Sequence, residues 1–121
     1  MLAEKAGLKR SAFLEFLNDS VMGSAFTRYK SPSFVNLDFR PTFTPVLLRK
    51  DFDIGLKAAR DLDVPMPVAA VVHEIIQSVI GHGSTDEDFA IMLEYQARAS
   101  GLSLKSENVQ VSDGLEEVEG E

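Results

Sequence analysis

Seven apolar side chains at helical spacing constrain this chain more than any other feature of it. Val68, Val71, Val72, Ile75, Ile76, Val79 and Ile80 stand at i, i+3, i+4, i+7, i+8, i+11 and i+12. That pattern lays one broad stripe along a helix, and it cannot serve a strand, whose faces alternate every second residue. β-branched residues are mediocre helix formers, so packing rather than propensity must hold this element. Val64-Pro65-Met66-Pro67 launches it and Gly81-His82-Gly83 stops it. The spacing predicts a helix over 68–80 with a wide core-facing stripe.

The rest of the chain reads the same way. Residues 2–6 look like the last turns of a helix, with Gly7 at the position that calls for a left-handed backbone; so short a helix suggests an element that starts upstream. A second helix over 11–18 takes Phe13, Leu14, Phe16 and Leu17 as its apolar face. Gly23-Ser24 opens a short helix carrying Ala25, Phe26 and Tyr29, which Ser31-Pro32 interrupts, and a further turn over 33–37 is weakly indicated. Residues 38–45 form a proline-punctuated loop. Thr44 then caps a helix over 45–62, with Pro45 in its first turn and Leu48, Phe52, Leu56 and Ala59 along its apolar side. Ser84 with Glu87 matches a capping box, with Asp86 and Asp88 near the positive end of a last helix that Gly101 closes. No stretch alternates like a strand. The fold class expected is all-α, a helical bundle of five to seven helices counting the short ones.

Charge divides the chain where periodicity ends. The 121 residues hold 12 Lys and Arg against 19 Asp and Glu, a formal net charge of −7. Beyond residue 101, Glu107, Asp113, Glu116, Glu117, Glu119 and Glu121 face the single basic Lys105, so the last twenty residues carry −5. Residues 1–101 are therefore nearly neutral and form the expected domain, while 102–121 read as an acidic, solvated tail or, alternatively, a docking tail for a basic partner. The acidic balance argues against phosphate-backbone binding, so no nucleic-acid partner is expected. With no cysteine there is neither a disulfide framework nor a Cys-based zinc site. No apolar run approaches the roughly 20 residues that span a bilayer, and no signal peptide opens the chain, which predicts a soluble, cytoplasmic protein with no membrane partner.

Few residues suggest chemistry on their own. No glycine-rich phosphate loop and no HExxH motif occurs. His73 lacks a second ligand at i+4 and reads as a surface or satisfied histidine, and His82 as a loop residue with a ligand role as the alternative. Asp51 and Asp53 project to different sides of a helix, Asp61 and Asp63 border a turn, and capping explains Asp86, Glu87 and Asp88. Lys50, beside Arg49 after the proline-rich loop, is either an exposed partner of Asp51 or Asp53 or a cation aimed at a ligand.

A family resemblance bears on that choice. Phe43, then Leu48-x-Lys50-Asp51, Val64-Pro65-Met66-Pro67, the long apolar helix and Gly81-His82-Gly83 leading into Asp86-Glu87-Asp88-Phe89 together resemble the C-terminal helical domain of the β-hydroxyacid dehydrogenases. That family includes 3-hydroxyisobutyrate dehydrogenase and 2-hydroxy-3-oxopropionate reductase, with 6-phosphogluconate dehydrogenase as a distant relative. Upstream, LAEKAGLKRSAFLEFLN resembles the passage that follows the family's interdomain helix, departing at Lys9-Arg10, where relatives often carry an Asp cap and a helix-starting Pro. The resemblance covers about residues 2–100 and implies an all-α domain.

It also implies that Lys50 matches the lysine that reaches the nicotinamide dinucleotide, NAD or NADP, and that Phe43 matches an aromatic beside the substrate and nicotinamide pocket. The family's Rossmann domain, its Ser-Gly-Gly substrate loop and its catalytic lysine have no counterpart here, so the catalytic residues expected in this chain are none. The expectation is thus the cofactor-cleft and dimerisation domain of an NAD(P)-dependent oxidoreductase acting on a small hydroxy acid, truncated and inactive alone. Its alternative is a stand-alone helical dimerisation or docking module using its acidic tail. Either way a homodimer or higher oligomer is expected, since a face normally covered by the missing half would be exposed.

Overall fold

The computed structural model describes residues 1–115. Six α-helices follow one another: α1 (Leu2–Lys5), α2 (Arg10–Asp19), α3 (Ala25–Asn36), α4 (Pro45–Asp61), α5 (Pro67–Gly81) and α6 (Met92–Ala99). A single 3-10 turn, Phe89–Ile91, leads into α6. The protein is all-α, with no strand among the described residues. The chain divides into two compact units, one of Met1–Asp38 with the chain from Leu93 on, the other Phe39–Met92. Residues 39–92 close on themselves as a local helical hairpin.

That hairpin is α4 against α5. Thr44 caps α4 as its spacing predicts, accepting the Leu47 N–H at 3.3 Å through its hydroxyl, and Pro45 fills the first turn. Ala59 from α4 and Ile76 and Val79 from α5 are buried, with Leu48, Phe52 and Leu56 half-buried beside them. Helix α5 runs from Pro67 to Gly81, and Gly83 closes it at φ +98°, a backbone that costs glycine nothing. Only part of the seven-residue stripe is core, however: Val68, Val71 and Ile75 are 76%, 62% and 49% exposed. Two helices cannot cover a stripe this wide from one side, so one edge of it faces outward.

In the other unit, α1 and α3 both pack on α2. The Ser31-Pro32 break does not occur, and α3 continues through Pro32 to Asn36. Burial of Ser31 and Val35 outweighs the lost backbone bond, a penalty of about 3 kcal/mol in an isolated helix. Ser24 and Thr27 form a capping box at its start, a pairing with Thr in place of the usual Glu or Gln. Of the apolar face expected on α2, Leu14 is buried, Leu17 is half-buried and Phe13 and Phe16 are exposed.

The most consequential departure is Arg10. This residue, read as a mere departure from a capping motif, is buried and holds the unit together. Its Nε donates to the Phe34 carbonyl at 2.7 Å, and its terminal nitrogens donate to Glu4 at 2.7 Å, to the Val35 carbonyl at 2.9 Å and to the Lys105 carbonyl. Part of the expected solvated tail is thereby fastened to helices. Glu107 donates its N–H to Val35, and Asn36 and Val109 exchange two hydrogen bonds. A buried guanidinium with several donors to satisfy recruits this segment, and its acidic composition alone cannot reveal that. Glu116, Glu117, Glu119 and Glu121, which carry most of the acidic character, lie outside the described residues.

Candidate functional site

Phe43 and Lys50 lie within one loop–helix element, the loop before α4 and the helix itself. Asp88 holds the loop. This wholly buried carboxylate accepts the Thr42 hydroxyl at 2.7 Å, the Thr42 N–H at 3.1 Å and the Phe43 N–H at 3.2 Å through one oxygen. Its other oxygen accepts the Ala90 N–H at 3.0 Å and so caps the 3-10 turn. The backbone strengthens the closure: the Asp88 N–H donates to the Phe39 carbonyl and the Phe89 N–H to the Phe43 carbonyl, both at 2.9 Å. A buried carboxylate is tolerated because four donors replace its hydration.

The capping expected of Ser84 with Glu87 is not what begins the last helical segment. Asp88 caps the turn at Phe89, and α6 follows from Met92. Ser84 itself is buried, its N–H donating to the Val79 carbonyl at 3.3 Å. The sequence signal that an Asp near this helix start meets unpaired N–H groups is correct in kind. Its second set of donors, some 46 residues away, could not be seen.

Phe43 is half-buried with its ring edge-to-face to Phe89, centroids 6.3 Å apart and planes at 87°. Lys50 stands five residues into α4, about 7 Å along its axis from Pro45. Its side chain is 58% exposed and its ammonium sits 2.9 Å from the Asp51 carboxylate. Of the two partners left open by the sequence, Asp51 is the one used. An exposed pair of this kind is worth no more than about 1 kcal/mol, so the ammonium can leave Asp51 for another anion at small cost. Phe43 and Lys50 make no hydrogen bond to each other.

Asp53 turns to the other side of α4 and meets His73 from α5, Oδ1 lying 2.8 Å from Nε2, while His73 Nδ1 is 3.3 Å from Glu74. The hydrogen bond to Asp53 and then that to Glu74 hold the imidazole above its ordinary value of 6.5. His73 is thus a satisfied histidine, as read from its spacing. It borders a crevice of about 450 Å³ with Leu56, Lys57 and Arg60. His82 caps the end of α5 with Nδ1 2.7 Å from the Ser78 carbonyl. No group of three or more metal-ligating side chains occurs among the described residues, and no helix there is long and apolar enough to cross a membrane.

Comparison with known proteins bears on what this loop–helix element serves. A family model described as "NAD-binding of NADP-dependent 3-hydroxyisobutyrate dehydrogenase" matches residues 1–96. Among curated proteins, glyoxylate/succinic semialdehyde reductase 1 of Arabidopsis thaliana is 30% identical over 94 residues, 78% of this chain and 32% of that protein. The cytokine-like nuclear factor N-PAC of Aedes aegypti is 30% identical over 87 residues, 70% of this chain and 16% of its own length. Mitochondrial 3-hydroxyisobutyrate dehydrogenase of Drosophila melanogaster is 24% identical over 100 residues, 77% of this chain and 31% of that enzyme. The chain spans about a third of the length of the two enzymes.

Proposed function

This chain belongs to the 3-hydroxyisobutyrate dehydrogenase family, whose members use NAD or NADP, and from that we propose that it is the C-terminal helical domain of such an oxidoreductase. The observation that carries the reading is the match over residues 1–96 to a chain whose regular elements, among the described residues, are all helices. A dinucleotide-binding Rossmann half needs alternating strands and helices with a glycine-rich turn, and the sequence has no GxGxxG. What such a parent lacks here is therefore supplied by another segment, and this one closes the cleft.

In that role Lys50 supplies a mobile positive charge to the dinucleotide. An ammonium held by one exposed carboxylate can exchange it for a phosphate oxygen. Phe43, fixed by Asp88 and Phe89, offers a half-buried ring to the substrate side of the cleft. The bound cofactor would accept or give hydride at the hydroxyl-bearing carbon of a small hydroxy acid. The proton on that oxygen is handled by a catalytic lysine outside this chain, and the chain alone is inactive.

Two measurements test this. Protein-dependent turnover of NAD(P)⁺ and 3-hydroxyisobutyrate by the 121 residues alone would overturn the claim of inactivity. In a protein joining this chain to an in-frame Rossmann segment, Lys50→Ala should weaken cofactor binding about tenfold, and unchanged affinity would remove the role of Lys50.

A second reading is favoured by one specific observation, the outward-facing Val68, Val71 and Ile75 of α5. Three exposed branched residues at i, i+3 and i+7 form a helix-pairing seam, which suits a dimerisation module with or without catalysis. Light scattering after size exclusion tests it: a dimer that Val71→Glu converts to a monomer supports the seam, and a wild-type monomer excludes it.

A further inference from the structure

We propose that Asp113-Gly114 is a self-modification site, at which the aspartyl side chain closes on the following amide and reopens as an isoaspartyl linkage. Of the nine aspartates in the chain, Asp113 alone is followed by glycine. After every other aspartate stands a residue whose Cβ crowds the approach of its nitrogen to the carboxyl carbon. Asp51 and Asp53 are further protected inside α4, where the next N–H is committed to the helix. Asp88 is fixed by four donors, and the Phe89 N–H beyond it is taken by the Phe43 carbonyl. Asp113 lacks both kinds of protection.

The turn arranges the reacting groups for closure. Asp113 Oδ1 accepts the Leu115 N–H at 2.9 Å, which folds the carboxyl over the intervening Gly114 peptide. The Gly114 N–H donates to Ser112 Oγ at 3.0 Å. Gly114 stands at φ +69°, a backbone open to glycine without strain, and a Cβ there would lie 3.0 Å from Arg28 Cβ. Helix α3 therefore backs the turn and keeps it in this shape. In the closing step the Gly114 nitrogen forms a bond to Asp113 Cγ and gives up its proton, which Ser112 Oγ is placed to receive and pass to water. Oδ1 stays as the new carbonyl oxygen, its developing charge met by the Leu115 N–H. The other carboxyl oxygen leaves as water, with one proton from solvent and one in exchange for that of the amide. Water then adds to either carbonyl of the cyclic imide. Breaking the N–Cγ bond restores aspartate; breaking the bond from nitrogen to the original main-chain carbonyl leaves isoaspartate, with the main chain rerouted through the side-chain carbon. The water lost in the first step returns in the second, so no oxidant or cofactor is consumed.

The test ages the 121-residue protein at neutral pH and body temperature and samples it over weeks. Trypsin cuts after Lys105 and releases residues 106–121. The isoaspartyl form of this peptide should appear as a new chromatographic peak of unchanged mass. It should also accept a methyl group from S-adenosylmethionine through an isoaspartyl carboxyl methyltransferase. Asp113→Glu, whose longer side chain closes only a larger and slower ring, should give no such product. Ser112→Ala should slow accumulation about fivefold, the weight of one hydrogen bond. Because the native turn holds the groups together, the folded protein should isomerise faster than the same chain in guanidinium chloride. Circular dichroism verifies that each variant is folded. Absence of isoaspartate from the aged native protein would overturn the proposal, as would methyl acceptance by Asp113→Glu at the wild-type level. An unaltered rate in Ser112→Ala, or a rate in guanidinium chloride equal to the native one or above it, would overturn it as well.

Discussion

Glu107 caps a helix that begins nearly a hundred residues before it. Its Oε1 accepts the Arg10 N–H at 2.6 Å and its Oε2 accepts the Ser11 N–H at 3.2 Å, at the start of α2. Lys9, the residue at the cap position, offers no side-chain acceptor. The chain thus satisfies in trans what an Asp at position 9 would satisfy locally, and the carboxylate also meets the positive end of the helix dipole. Glu107→Gln should lower stability by about 1 kcal/mol, and adding Lys9→Asp should restore most of it. Urea denaturation of the two single variants and the double variant measures the coupling. Additive effects would show that the two carboxylates do not serve the same N–H groups.

The same contact predicts acid sensitivity. Burial pushes the Glu107 carboxyl up, but the Ser11 side chain, the Arg10 and Ser11 N–H groups and the Arg10 charge outweigh it, leaving the group below its ordinary value of 4.5. A depressed carboxyl stabilises the fold above its unfolded value, and that contribution is lost as pH falls through the folded value. The melting temperature of wild type should therefore drop more steeply than that of Glu107→Gln as pH falls from 5 toward 3, about the range in which such a carboxylate protonates. Parallel curves would exclude the linkage.

His73 carries the opposite sign. Its raised value means the Asp53 and Glu74 contacts stabilise the fold fully below 6.5 and fade as pH rises through the folded value. Imidazole NMR should show His73 titrating above 6.5, and Asp53→Asn should move it back down. With two histidines in the chain the signals are readily assigned. An unmoved His73 in Asp53→Asn would show that Glu74 alone sets it.

Asp88→Ala should be among the most damaging single changes in 39–92, costing about 3 kcal/mol or more. It strands the N–H groups of Thr42, Phe43 and Ala90 and the Thr42 hydroxyl. Thr42→Val removes one of those donors and should cost about 1 kcal/mol. Thermal melts compare them directly, and equal losses would mean that the Thr42 hydroxyl accounts for the whole effect.

Lys50→Ala, by contrast, should change stability by less than about 0.5 kcal/mol, because its ion pair with Asp51 is exposed. Denaturant midpoints measure this. A loss beyond 1 kcal/mol would give Lys50 a structural role and weaken its assignment to a ligand.

The sequence by itself determined the helices that local rules can build. Thr44 and Pro45 start α4, Pro67 starts α5, and Gly7 and Gly83 turn the chain after α1 and α5. These signals act over four residues or fewer, so a linear reading recovers them. Phe43 was legible as a candidate only through the order and spacing of a family's motifs, which also bore on the ligand alternative already open for Lys50.

Tertiary structure alone decided where buried charge is satisfied. Arg10 gathers acceptors from residues 4, 34, 35 and 105, and Asp88 gathers donors from 42, 43 and 90. No periodicity encodes such partners. Once a charged group is withdrawn from water, its hydrogen bonds must come from whatever backbone the fold brings within about 3 Å. That is why residues 105–109, though partly exposed, are hydrogen-bonded to helices. Tertiary packing likewise decided which part of the α5 stripe is core: one partner helix cannot cover all seven positions, and Val68, Val71 and Ile75 face outward.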